Sequence, residues 1–148
     1  MLTSDPGVVY SVRELVTLLR NEMGREELSQ QRPVHWIGSA KRDYDKFPET
    51  VQDDAGYDLW QVQLGKCPSS AKPMKGLGGT DVLELTEPFD SDTYRVICTV
   101  RFKLAIYVLH AFQKKSKQGI KTSRKDMDVI KARLYAAAED YARRYPDD

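Results

Sequence analysis

Cysteine is scarce in this chain. Cys67 and Cys98 are the only two among 148 residues, they form no C-x-x-C pair, and only His35 and His110 could join them at a metal. Neither a disulfide framework nor a zinc site is expected, as suits a reducing cytoplasm. Long apolar runs are missing too. The longest, Leu104–Leu109, holds six residues, whereas a bilayer span needs roughly 20. The start, Met1-Leu2-Thr3-Ser4-Asp5-Pro6, lacks the basic-then-apolar layout of a secretory signal. We therefore expect a cytoplasmic protein without a membrane partner. Repeats and long linkers are also lacking, so residues 1–148 read as one domain.

Charge of one sign is not in excess, with 23 bases against 22 acids, but the two signs are segregated. Between Asp43 and Asp58 six acids face the single base Lys46, and Asp81–Asp92 carries five acids and no base. From Arg101 to Lys131 nine bases meet only Asp126 and Asp128. Such a chain carries a directed field, suited to a polyanion or an acidic partner.

Periodicity gives the elements in order. Val12, Leu15, Val16, Leu19 and Met23 predict an amphipathic helix from Ser11, its N-cap, to about Leu28, weakened at Gly24, after a loose start at Met1–Gly7. Val34–Ile37 reads as a short strand, Ser39 as the cap of a helix beginning near Ala40, and Pro48 as the first residue of the next helix, closed by Gly65. Residues 67–73 read as a loop and Gly76–Gly79 as a flexible point. Strands are expected at Val82–Thr86, Tyr94–Val100 and Ala105–Leu109, with turns at Pro88–Asp92 and Phe102–Leu104. Connections this short make the three strands antiparallel neighbours. Ser123 and Asp126 resemble a capping box opening a long helix along Met127, Ile130, Leu134, Ala137, Ala138 and Tyr141. The class is α+β, with an antiparallel meander.

After the last expected strand, His110–Lys121 holds one imidazole and the four lysines Lys114, Lys115, Lys117 and Lys121. A cationic cluster at a strand exit can hold an anionic ligand, and it can equally be a solvated connector.

Several segments resemble a known family. Trp36-Ile37-Gly38-Ser39-Ala40-Lys41-Arg42-Asp43, Phe47-Pro48, Lys72-Pro73-Met74-Lys75-Gly76-Leu77-Gly78, Tyr94-Arg95-Val96 and Tyr107-Val108-Leu109-His110-Ala111-Phe112-Gln113-Lys114-Lys115-Ser116 resemble the HigB-like, phage-derived branch of the RelE/ParE toxin superfamily. The likeness covers about Val34 to Leu134. It implies a RelE-like fold, with N-terminal helices packed on a small antiparallel sheet and a C-terminal helix. It also implies a type II toxin that cuts ribosome-bound mRNA and is neutralised by a cognate antitoxin, typically a helix-turn-helix protein. Residues 1–32 precede the usual start of relatives and read as an N-terminal helical extension that docks as a further layer, dimerises or covers the basic site.

Metal-independent RNA cleavage must deprotonate a 2′-hydroxyl, stabilise charge on the phosphorus oxygens and protonate the leaving 5′-oxygen. By position in the family, Lys114 and Lys115 are the expected phosphate-binding and transition-state-stabilising residues, and Arg95 is a third catalytic candidate. His110, titrating near neutrality, is the proton-transfer candidate. Lys72, Lys75, Gln113, Lys117 and Lys121 are expected to bind RNA, and Phe112 to stack on a base. No metal and no cofactor are called for. Arg95 is equally suited to an ion pair with Glu84 or Glu87, and His110 shares strand parity with Ile106 and Val108. Glu87 stands where RelE toxins place a catalytic arginine. Two other readings follow from the superfamily: a non-catalytic inhibitor of a protein such as gyrase, and an inactive nucleic-acid-binding relative.

Overall fold

Five strands and four helices make up the residues that the computed structural model describes, 11–22, 30–77, 81–115 and 121–148. In chain order they are α1 (Val12–Glu22), β1 (Val34–Trp36), α2 (Ala40–Tyr44), α3 (Glu49–Gln63), β2 (Ala71–Pro73), β3 (Val82–Phe89), β4 (Asp92–Thr99), β5 (Ile106–Lys114) and α4 (Arg124–Arg144). The loose start, the expected helical stretch beyond Glu22, Gly78–Gly79 and Lys117 lie outside the described residues. The architecture is α+β and consistent with a RelE-like fold. Among the described residues no helix is long and apolar enough to cross a membrane.

The sheet has the order β1-β5-β4-β3-β2. The expected antiparallel meander is its centre, formed by β3, β4 and β5. Two strands extend it. β1 pairs parallel with β5, Val34 opposite Ile106, and β2 pairs antiparallel with β3, Lys72 opposite Glu84. Residues 71–73 are therefore a strand, not a loop. Three residues on an edge carry no readable alternation, and Pro73 is tolerated there because an edge strand leaves one side of its ladder unused.

Each sheet face buries its own core. Val51, Ala55, Leu59 and Val62 of α3 join Ala40, Tyr44 and Phe47 over Leu83, Leu85, Val96, Cys98, Ile106 and Val108. On the other face Ile130, Ala137 and Tyr141 of α4 pack on Val82, Ile97, Tyr107 and Leu109. Spacing of three and four residues puts each helical set on one stripe. Ala138, expected in that stripe, is exposed. The α4 cap is as expected, with Ser123 Oγ accepting from the Asp126 amide at 3.1 Å. Pro48 is the N-cap of α3, with ψ of 146°, and Glu49 is the first helical residue.

Helix α1 begins with a reciprocal capping box: the Glu14 amide donates to Ser11 Oγ at 3.2 Å and the Ser11 amide to Glu14 Oε2 at 2.9 Å. It lies against α3, where Arg13 pairs with Asp53 at 2.5 Å and the Arg20 guanidinium sits 5.7 Å from the Trp60 ring centre. Helix α1 thus adds a layer on the side of the sheet opposite α4.

Both hairpins depart from the expected turns. β3 runs on to Phe89 and turns through Asp90 and Ser91, with φ of 50° and 69°. Positive φ at both central residues suits the right-handed twist of a two-residue hairpin, and aspartate tolerates it better than most residues. The reversal from β4 to β5 is longer, spanning residues 100–105, so it needs no glycine. Phe102 stacks there on Tyr141 with ring centres 4.5 Å apart, and Arg32 Nη1 donates to the Phe102 carbonyl at 3.2 Å.

Candidate functional site

Strand β5 continues to Lys114, so His110, Phe112 and Lys114 are strand residues rather than parts of a connector. Where they point is set by an irregularity. Ile97 pairs with His110 but Cys98 pairs with Val108, leaving Leu109 as an extra residue on β5. A β-bulge of this kind shifts the alternation of side chains by one. Ile106 and Val108 face α2 and α3, and Tyr107 and Leu109 face α4. Beyond the bulge the parity is reversed: Ala111 faces α2 and α3, while Phe112 faces α4. His110 goes with Phe112, the two rings stacked at 4.8 Å and 25°. The parity shared with Ile106 and Val108 in the sequence is therefore broken in the fold.

Register extends this face across the sheet. Arg95 stands opposite Phe112 and Thr86, and Glu84 opposite Ile97 and Lys72. The start of α4 and the residues before it rise over one end of the face and enclose an open groove of about 1010 Å³. Phe112, Lys114, Lys121, Arg124, Lys125 and Lys131 line it.

Lys114 is 7% exposed, and its side chain has no hydrogen bond or ion pair among the described residues. Its charge acts on the neighbouring Asp126. Burial alone would raise the Asp126 carboxyl. Hydrogen bonds from His110 and Ser123, with the charge of Lys114, outweigh it and hold the group below the ordinary carboxylate value.

His110 is 8% exposed and engaged at both nitrogens. Nε2 lies 2.9 Å from Asp126 Oδ1, and Nδ1 faces Arg133 Nη1 at 3.4 Å. A guanidinium only donates, so Nδ1 accepts and Nε2–H donates to the carboxylate. Arg95 is buried, pairing with Glu84 Oε1 at 2.9 Å and donating to Thr122 Oγ1 at 3.2 Å. The expected ion pair with Glu84 is present, and through Thr122 it also anchors the segment that closes the groove.

The other expected residues are dispersed. Lys121 lines the groove, Lys115 is exposed just past the end of β5, and Lys75 is exposed next to Gly76, itself a lining residue. Lys72 is exposed on the edge strand. Gln113 reaches the rim and donates to Asp92 at 2.7 Å. Trp36 and Tyr94 pack against the core on the α2 and α3 side, and His35 bonds Tyr145 at 3.0 Å.

Glu87 leaves the site altogether. It faces α3 from the opposite side of the sheet, 9% exposed, and burial followed by the neighbouring Asp58 and Asp54 pushes its carboxyl up to about 9. It does not interrupt the cationic groove. Arg124, Lys125, Lys131, Asp126 and Arg133 are the groove and support residues that sequence reasoning missed. The basic run from Arg101 to Lys131 was the sign of the three groove cations, and the capping box at Ser123–Asp126 gave no hint that Asp126 also holds His110.

A family model described as Phage derived protein Gp49-like (DUF891) matches residues 42–135. This span runs from α2 into α4 and includes every strand but β1. No curated protein matches the chain.

Proposed function

The chain belongs to the Gp49-like family of phage derived proteins, a family of RelE/toxin type, and from that premise we propose that it is the toxin of a type II toxin–antitoxin pair, an endoribonuclease acting on ribosome-bound mRNA. The observation that carries the reading is Lys114. It lines a groove shared with Lys121, Arg124, Lys125 and Lys131, where Asp126 and Asp128 offset only part of the positive charge. A phosphodiester entering the groove supplies the balancing negative charge.

In the reaction the 2′-oxygen attacks phosphorus and gives up its proton, and the bond to the 5′-oxygen breaks as that oxygen gains one. A 2′,3′-cyclic phosphate and a 5′-hydroxyl result. Lys114, and Lys115 beside it, stabilise the charge on the non-bridging oxygens. Arg95 supports the floor through Glu84 and Thr122. Lys121, Lys117, Lys75 and Lys72 follow the RNA backbone, Gln113 contributes at the rim, and Phe112 offers a ring face to a base. Both nitrogens of His110 are engaged, so proton transfer falls to a groove lysine. The partner that silences the toxin is a cognate antitoxin of the helix-turn-helix kind.

Induction of the full chain in bacteria, followed by sequencing of RNA 5′ ends, tests this. Ribosome-phased cuts that vanish in the Lys114→Ala/Lys115→Ala double variant are expected. DNA-damage signalling without transcript cuts would point instead to a gyrase-type inhibitor, and unaffected growth to an inactive relative.

A further inference from the structure

The bulge that aims β5 into the groove is held from behind by one side chain. Arg133, on α4, donates through Nη1 to the carbonyl of Leu109, the extra residue, at 3.0 Å. The same nitrogen faces His110 Nδ1 at 3.4 Å. Nη2 donates to Ser39 Oγ at 2.9 Å, and Ser39 Oγ donates to Asp43 Oδ2 at 2.7 Å. Arg133 therefore ties together the start of α2, the bulge and α4. Room is left for it by Gly38, where a Cβ would come within 3.0 Å of Arg133 Nε and where φ is +57°. A planar guanidinium with forked donors suits this geometry, since it bonds a carbonyl, an imidazole and a hydroxyl in fixed directions. Arg133 does not line the groove.

We propose that Arg133 is a positioning residue of the RNA-cleaving site. It fixes the bulge and holds His110 as the Nε2–H tautomer donating to Asp126. The His110 ring in turn backs Phe112, and the reversed parity delivers Lys114 to the groove. Arg133 acts through these residues and touches no substrate. The inference rests on the nuclease reading for its catalytic consequence, while its structural content stands apart from that reading.

The test uses the full chain with Arg133→Met, Arg133→Lys and Ser39→Ala. Nitrogen-15 NMR of the imidazoles reports the His110 tautomer, and cleavage of an mRNA in a translation extract reports activity. In the wild type, His110 is expected to show a single, locked Nε2–H tautomer. Arg133→Met is expected to lose that signature at temperatures well below its melting point and to cut at least 10-fold more slowly, with KM changed far less than kcat. Arg133→Lys, which keeps one donor near the Leu109 carbonyl, is expected to recover part of both. Ser39→Ala, retaining the guanidinium but not its anchor, is expected to broaden the His110 signals and guards against a methionine variant that fails to fold. Wild-type His110 signals in the variants, with only a lowered melting temperature, would overturn the proposal. If the wild type itself does not cut RNA, the nuclease reading fails, and the His110 spectra still decide whether Arg133 positions the ring.

Discussion

Lys114 joins packing and charge in a single residue. It is little exposed yet lines the groove, with Asp126 as an electrostatic neighbour. Lys114→Met keeps the stem and removes the charge. It is expected to abolish cleavage while changing the free energy of unfolding in urea by less than about 1 kcal/mol. Glu87 makes a different prediction. Its carboxyl, pushed up to about 9 chiefly by burial, stays neutral in the fold at pH values where the unfolded chain has already ionised. Glu87 thus costs the fold nothing in acid and destabilises it as pH climbs from the ordinary glutamate range towards about 9. Glu87→Gln mimics the neutral acid. Its stability advantage over the wild type, followed by thermal melts, is expected to grow across that window and level off above it. Asp126 runs the other way: held low by its donors, it loses its contribution as pH falls through the acid range. At this scale the identities of Lys114 and Phe112 were legible in the sequence, but their direction was not. Counting alternate residues from Ile106 put His110 on the wrong face, because a one-residue bulge leaves no mark in composition.

Elements read more easily than residues where they carry their own punctuation. The N-cap at Ser11 and the box at Ser123–Asp126 announced α1 and α4, and periodic apolar residues gave their buried stripes. β2 was missed because its three residues become a strand only through pairing with β3. β5 was cut short because polar and charged residues follow Leu109, and tertiary context rather than local propensity keeps them extended. Helix α1 supplies the prediction at this scale. Leu15, Val16, Leu18 and Leu19 are partly buried, and the helix sits on α3, away from the groove. Deleting residues 1–31 is expected to lower stability by on the order of 1–3 kcal/mol, seen as a drop in melting temperature, without increasing toxicity on induction. A sharp gain in toxicity would mean that the extension restrains the site after all.

For the molecule as a whole, the segregation of charge visible in the sequence becomes a division between faces. Glu87, Asp54 and Asp58 gather where α3 meets the sheet, and Lys114, Lys121, Arg124, Lys125 and Lys131 gather at the opposite face. A neutral protein so divided can still bind a polyanion, with an affinity that salt erodes. For single-stranded RNA the logarithm of affinity is expected to fall with the logarithm of salt by roughly 0.7 per phosphate contacted. Lys114→Ala and Lys125→Ala are each expected to reduce that slope by roughly this amount, measured by fluorescence anisotropy. The α+β class was legible at this scale, whereas the parallel pairing of β1 with β5 was not. That pairing is a long-range contact between elements of unlike character, one short and half-buried, the other continuous and apolar.

The same pairing dictates when the site can exist. Val34 meets Ile106 about 70 positions later, and β5 lies between β1 and β4 in the finished sheet. A growing chain can close the β3–β4 hairpin early, but β1 has no strand to join until β5 leaves the ribosome, and the groove has no roof until α4 follows. Loop closure over such a distance is slow compared with local hairpin formation. Assembly of the cationic groove is thereby deferred until α4 has been made, which gives a neutralising partner an interval to be present before the first competent molecule forms.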